Sequence, residues 1–272
     1  DPCSARTIIT IRDLCSNGSL DAAFKMVCTL ENRGFPISRD IIYCLLQGCK
    51  KRRHLGYVRK VRTLMLKHGF HTISSLGDHI IRLFAACGSL EEAYEAFSSI
   101  VKPSVFTWNS LISAHLKLGE GHVALKLYER IREEGINPDR VTFISVCNAC
   151  GSIGSIVNGM TAHHQAIQNS FESDTVLGNA IIDMYAKCGC FDEAWKLFES
   201  TVKADIITWT VIISGYSSHG HGDHALKLFT RMHEKGIIPN KAILLCALRA
   251  CSYVGSIYPG YLIHEEILEY GL

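Results

Sequence analysis

The chain has almost no net charge: 28 Lys and Arg oppose 26 Asp and Glu, a formal +2. That excludes a basic tail or a histone-like chain, so attraction to an anionic partner has to come from local clusters. No run of 18 apolar residues occurs, and nothing is expected to span a membrane as a helix. No linker or low-complexity stretch interrupts the chain, and the first residues carry no signal or transit pattern. The sequence opens and closes inside repeat patterns, as a fragment would, so that missing segment carries no message about location. No Ser/His/Asp arrangement and no phosphate loop is present. The chain reads as non-enzymatic, with no cofactor and no metal expected.

Twelve cysteines are present, but they lack ligand spacing. Cys147-Asn148-Ala149-Cys150 comes nearest and has no second pair at a suitable distance. Cys150 and Cys251 share one repeat place, as do Cys87 and Cys188, each inside an apolar helical pattern. Buried free thiols acting as small hydrophobes in a reducing compartment are expected. His264-Glu265-Glu266 matches the H-x-E part of a zinc deaminase signature. No P-C-x-x-C follows, and His163 holds the same place one period earlier, so this is a repeat residue.

What is there is a repeat of 101 residues divided as 35, 35 and 31. The segment 84–93 returns at 185–194, Trp108 at Trp209, and 124–128 at 225–229. In residues 105–139, Trp108, Leu111, Ile112 and His115 share one helical face, and Ala124, Leu127, Tyr128 and Ile131 share another. Leu118-Gly119 breaks the two apart, and Gly135 with Pro138 ends the second. The unit is a helical hairpin too short to stand alone, so stacking has to stabilise it. The frame predicts eight units in one continuous array over 1–272: 4–38, 39–73, 74–104, 105–139, 140–174, 175–205, 206–240 and a truncated 241–272. In unit 39–73, Arg53 stands where others carry the hairpin glycine. The expected fold is all-α, a right-handed superhelical α-solenoid with two helices per unit.

Val105 to Ile112 through Pro138-Asp139 resembles a pentatricopeptide repeat, and Asn179 to Gly189 resembles the short repeat of the plant PLS subclass. The resemblance covers nearly the whole chain. It implies single-stranded RNA binding in a plant organelle, mitochondrion or chloroplast, one base per repeat, for C-to-U editing. Any deaminase would lie on a C-terminal extension. Long-type units of related arrays recruit small editing cofactor proteins. By the same resemblance, the fifth and last residues of a unit read the base and the second packs against it.

Those places hold Asn109 with Asp139, Asn179 with Asp205, Thr210 with Asn240, and Asp78 with Ser104; the second places hold Phe106, Val176 and Ile207. Short amides, carboxylates and hydroxyls suit Watson–Crick edges. The same residue types also favour helix N-caps and turns, which keeps a purely structural reading open. The family code implies uracil for the two Asn/Asp pairs and adenine for Thr210 with Asn240, and nothing for Asp78 with Ser104. The implied preference, 5′ to 3′, is three unspecified bases, then U, any base, U, A and one unspecified base. Long-type units carry Tyr43, Ile144 and Leu245 at the fifth place and read as spacers or weak readers. Lys51, Lys117 and Lys187 share one late place on the first helix, suited to phosphate. The cluster Lys50-Lys51-Arg52-Arg53 with Arg59, Lys60 and Arg62 adds local positive charge or is a solvated face. A peptide-binding tetratricopeptide array, built on 34-residue units, fits the 35/35/31 alternation poorly. A protein-interaction scaffold in organellar RNA processing is the alternative reading.

Overall fold

A computed structural model describes residues 2–201, 204–255, 257–269 and 271. The frames 175–205 and 241–272 each include a few residues outside that set. All regular structure among the described residues is helical. Two compact units are present, Asp1–Pro138 and Asp139–Leu272.

The first unit contains α1 (Pro2–Ser16), α2 (Leu20–Asn32), α3 (Arg39–Arg52), α4 (Leu55–Lys67), a 3-10 turn (Phe70–Thr72), α5 (Ser74–Ala86), α6 (Leu90–Ser98), α7 (Val105–Lys117) and α8 (Gly121–Glu133). The second contains α9 (Arg140–Ile153), α10 (Ile156–Gln168), α11 (Thr175–Lys187), α12 (Phe191–Ser200), α13 (Ile206–Ser218), α14 (Gly222–Glu234), α15 (Lys241–Val254) and α16 (Ile257–Glu269). Along the chain these helices follow one another in pairs, most helices about 13 residues long.

Odd-numbered helices stack directly on one another, α1 on α3 on α5 on α7 in the first unit and α9 on α11 on α13 on α15 in the second. Each even-numbered helix packs on its own partner and, within a unit, on the next odd-numbered helix. The 31-residue hairpins are short in their second helix. There α6 has 9 residues and α12 has 10, against 13 in α2, α4, α8, α10 and α14. The loss is about one helical turn, so the apolar face stays in phase. In long-type hairpins the first helix gains a residue, reaching 14 in α3, α9 and α15.

The period also reproduces the core. Trp108 is fully buried, with the Phe97 ring edge-on at 4.6 Å and the Arg130 guanidinium over it at 5.6 Å. Trp209 repeats this with Phe198 at 4.8 Å and the Lys235 ammonium at 5.9 Å. Such aromatic pairs contribute about 1 kcal/mol beyond their burial.

Two sequence expectations are corrected. Cys15, Cys44, Cys49, Cys147, Cys150 and Cys251 are buried, but Cys87 and Cys188, at the hairpin ends of α5 and α11, are half-buried with Cys190 and Cys246, and Cys28 lies exposed on α2, on the face away from Ala23 and Val27. The basic residues of α4 are not merely solvated. Arg59 binds Glu92 through two hydrogen bonds of 2.8 and 3.1 Å, Arg62 donates to the Ser99 hydroxyl at 2.9 Å, and Lys60 lies over the Phe24 and Tyr57 rings. They tie α4 to the helices on either side of it.

All seven hairpin glycines named by the repeat, at 18, 88, 119, 154, 189, 220 and 255, have positive φ between paired helices. The missing one is costly: Arg53 takes the same left-handed conformation at φ 46°, ψ 44°, donating its N–H to the Cys49 carbonyl. A side chain there costs about 1–2 kcal/mol, offset in part by glycine's greater unfolded-state freedom. Arg53→Gly is expected to raise stability by about 1 kcal/mol, read as a higher urea midpoint with an unchanged slope.

Candidate nucleic-acid interface

The last residue of a hairpin is the N-cap of the next first helix. Ser38, Ser104, Asp139, Asp174, Asp205 and Asn240 each accept a hydrogen bond from the backbone N–H three residues on. Ile73 has no such group, and α5 starts without a side-chain cap. For the terminal residues, then, the structural role foreseen beside the functional one is present. The fifth residues are not caps; they sit inside the first helix, and Asn109 and Asn179 are buried.

Fifth and last side chains meet. The Asn240 amide donates to the Thr210 hydroxyl at 3.1 Å while its Oδ1 accepts from the Ile243 N–H at 2.9 Å. Asn179 lies beside Asp205, whose Oδ1 takes the Thr208 N–H at 2.8 Å and its hydroxyl at 2.9 Å. These bonds, the Thr208 N–H first, hold the Asp205 carboxyl below the usual range. Asp78 and Ser104 are linked indirectly, since the Thr107 hydroxyl contacts both. Burial raises the Asp78 carboxyl, and its Oδ1 is buried without a hydrogen-bond partner. Asn109 holds the fifth place of α7 and Asp139 caps α9, with its own side chain bonded to Thr142.

One turn ahead on the same helices, Phe106, Val176 and Ile207 are 66, 55 and 57% exposed. Large apolar side chains left in water at one repeated place form a contact surface rather than a core. Val141 holds that place in α9 and is exposed too; its long-type unit had hidden it from the sequence reading.

The three lysines differ. Lys51 donates to the Ser16 carbonyl at 2.8 Å, closing the end of α1; Lys187 pairs with Asp183 at 2.6 Å; Lys117 is exposed at the end of α7. They lie about 16 Å along the helix from the second place.

Burial pushes the Cys147 and Cys150 thiols up to about 12, so they are held as neutral thiols. His163 on α10 contacts the Tyr185 hydroxyl of α11, in the next hairpin, at 3.0 Å, and burial lowers its pKa. No cluster of three metal-binding side chains occurs among the described residues.

A cavity of about 550 Å³ opens beside Asn179, between α10, α11 and the end of α12. Its origin is one exchange. Ile100 fills the space over Gly77, where a Cβ would lie 2.3 Å from its Cδ1. One period on, Thr201 stands in place of Ile100, and Gly178 faces open space.

Pentatricopeptide-repeat models match at 103–152 and 204–242, described as the PPR repeat family, and at 179–206, described as the PPR repeat. The chain carries pentatricopeptide repeats. Pentatricopeptide repeat-containing proteins of Arabidopsis thaliana align along nearly all of it. One is 32% identical over 93% of the chain and 50% of its own length. Two chloroplastic ones are 32% identical over 93% and 48%, and 29% identical over 89% and 39%. The chain therefore spans half or less of these relatives. The crystal structure of the pentatricopeptide repeat protein PPR10, in complex with an 18-nt psaJ RNA element, superposes with a TM-score of 0.63. That match is at 16% identity, over 97% of this chain and 45% of that one, and is a likeness of fold.

Removing a cap should show in stability. Asp205→Ala is expected to cost about 1 kcal/mol, read from urea denaturation. Because the folded carboxyl titrates low, its contribution is complete above the unfolded value of about 3.9 and is lost as pH falls through the folded one. Asp205→Asn, still a cap, should flatten the loss of stability below about pH 4. Thr201→Ile should fill the space over Gly178 and stabilise by about 1 kcal/mol, visible as a higher melting temperature.

Proposed function

We propose that this pentatricopeptide array binds single-stranded RNA, with one base facing each well-formed hairpin. The observation that carries it is the repeated pairing of a fifth and a last side chain, Asn179–Asp205 and Thr210–Asn240. Each pair is fixed by a cap bond and flanked by an exposed apolar residue at the second place. A base packing on Phe106, Val176 or Ile207 brings its Watson–Crick edge to the pair behind it. By sequence register alone, Asn109 with Asp139 and Asp78 with Ser104 are proposed for the same role. Lys117 would meet phosphate, and Lys51 and Lys187 would contribute charge from their intramolecular bonds. The PPR10–RNA complex supports this reading by fold.

Recognition of the RNA around a C-to-U editing site, in an array of the PLS subclass, is the finer reading. It rests on the 35/35/31 alternation, which the helix lengths express as the loss of one turn. A plant organelle is the proposed location, and the chloroplastic names among the relatives favour the chloroplast over the mitochondrion. Editing cofactor proteins or a deaminase domain would be the protein partners.

The decisive experiment alters one letter. Asn179→Thr with Asp205→Asn copies the pair already present at Thr210 and Asn240, and the new amide still caps the helix. Preference at that position should move from uracil to adenine by about 1 kcal/mol or more, measured in gel-shift titrations with four RNAs. An equal loss for all four bases would make these residues structural caps only. Ile207→Ala should instead weaken every RNA alike, by about 1 kcal/mol.

A further inference from the structure

Hairpin 39–73 departs from 105–139, 175–205 and 206–240 at both places proposed to face a base. Its second residue is Asp40, where Phe106, Val176 and Ile207 stand elsewhere, so it offers no apolar surface there. Its fifth residue is Tyr43, an aromatic side chain 45% exposed on α3. The ring is not loose. The His79 ring of α5 meets it at 73° with centroids 5.3 Å apart, which fixes its plane and leaves surface open.

Tyr43 lines a groove of about 610 Å³ between α1 and α3. That volume lies within the range of small-molecule sites. Arg12, Lys50 and Lys51 line the same groove against one carboxylate, Asp40, and Gln47 adds an amide. Lys51 is committed to the Ser16 carbonyl, whereas Arg12 and Lys50 are exposed on the two walls. An oriented, half-exposed aromatic ring beside paired cations suits a nucleotide: a base stacks on the ring and its phosphate meets the cations.

We propose that this groove holds one RNA nucleotide by stacking on Tyr43, with Arg12 and Lys50 on its phosphate, and without choosing among bases. The stacking surface has moved from the second place to the fifth, so this hairpin grips where 105–139, 175–205 and 206–240 are proposed to read. Every base has a π face, so such a site is tolerant of sequence. This rests on the proposed binding of single-stranded RNA, and its test separates the two.

The fluorescent base 2-aminopurine is walked through the eight positions of an RNA matching the implied preference, and its quenching is read on binding. Quenching is expected to be strongest at the position facing hairpin 39–73, second from the 5′ end. Tyr43→Phe should keep it. Tyr43→Ala should abolish it and weaken binding about ten-fold, equally for all four bases at that position. Arg12→Gln with Lys50→Gln should lower the salt dependence of binding. If Tyr43→Ala leaves quenching and affinity unchanged while the wild-type protein still binds RNA, the groove is no nucleotide site and the proposal falls. The same holds if the variant loses affinity for one base only. A wild-type chain that binds no single-stranded RNA fails the broader reading instead.

Discussion

The N-cap that every hairpin but 39–73 supplies to the next is the bond on which the rest of the structure depends. A short helix has four unsatisfied N–H groups at its start and little stability of its own. Here the last side chain of the preceding hairpin satisfies one of them, and in α7, α9 and α13 a threonine three residues on shares in the bonding. The cap fixes where the helix begins, and so which residue falls second and which fifth. Asn240 holds the helix start and the fifth side chain at once, its two bonds using different atoms, Oδ1 and the amide nitrogen, while Asp205 caps its helix beside Asn179. Structure and candidate recognition therefore share one side chain.

Much of this was legible in the sequence because the hairpin is a local object. The spacing of Trp108, Leu111 and Ile112 gave α7 its buried face, and all three are fully buried. Arg53 announced itself as a departure, and the backbone there is left-handed. The terminal Asp and Asn residues were read with two roles open, and the residue type alone could not separate them, since a cap and a base-edge contact use the same chemistry.

What stayed hidden is contact between neighbouring second helices. Tyr57 donates to Asp21 at 2.7 Å and Lys67 to Glu31 at 2.8 Å, each across 36 residues, as does Arg130 to the Tyr94 hydroxyl at 3.0 Å. Helical periodicity reaches only a few turns along a chain, so partners one hairpin apart leave no local pattern. For the same reason, charge on α4 looked like a solvated face until Glu92 and Ser99 were placed against it. The open space over Gly178 was equally invisible, because Thr201 is an ordinary residue until Ile100 is seen filling the corresponding gap.

The length of the short hairpins has a consequence for how such a chain can change. Removing four residues from a second helix rotates the downstream residues by about 40° beyond a whole turn, which the packing absorbs. Removing two would turn the apolar stripe outward by roughly half a revolution and empty the seam against the next hairpin. Tolerated lengths are thus discrete, set by the helical pitch rather than by loop slack. Deletions in these segments should survive as single turns or entire hairpins, with the intermediate sizes lost to misfolding.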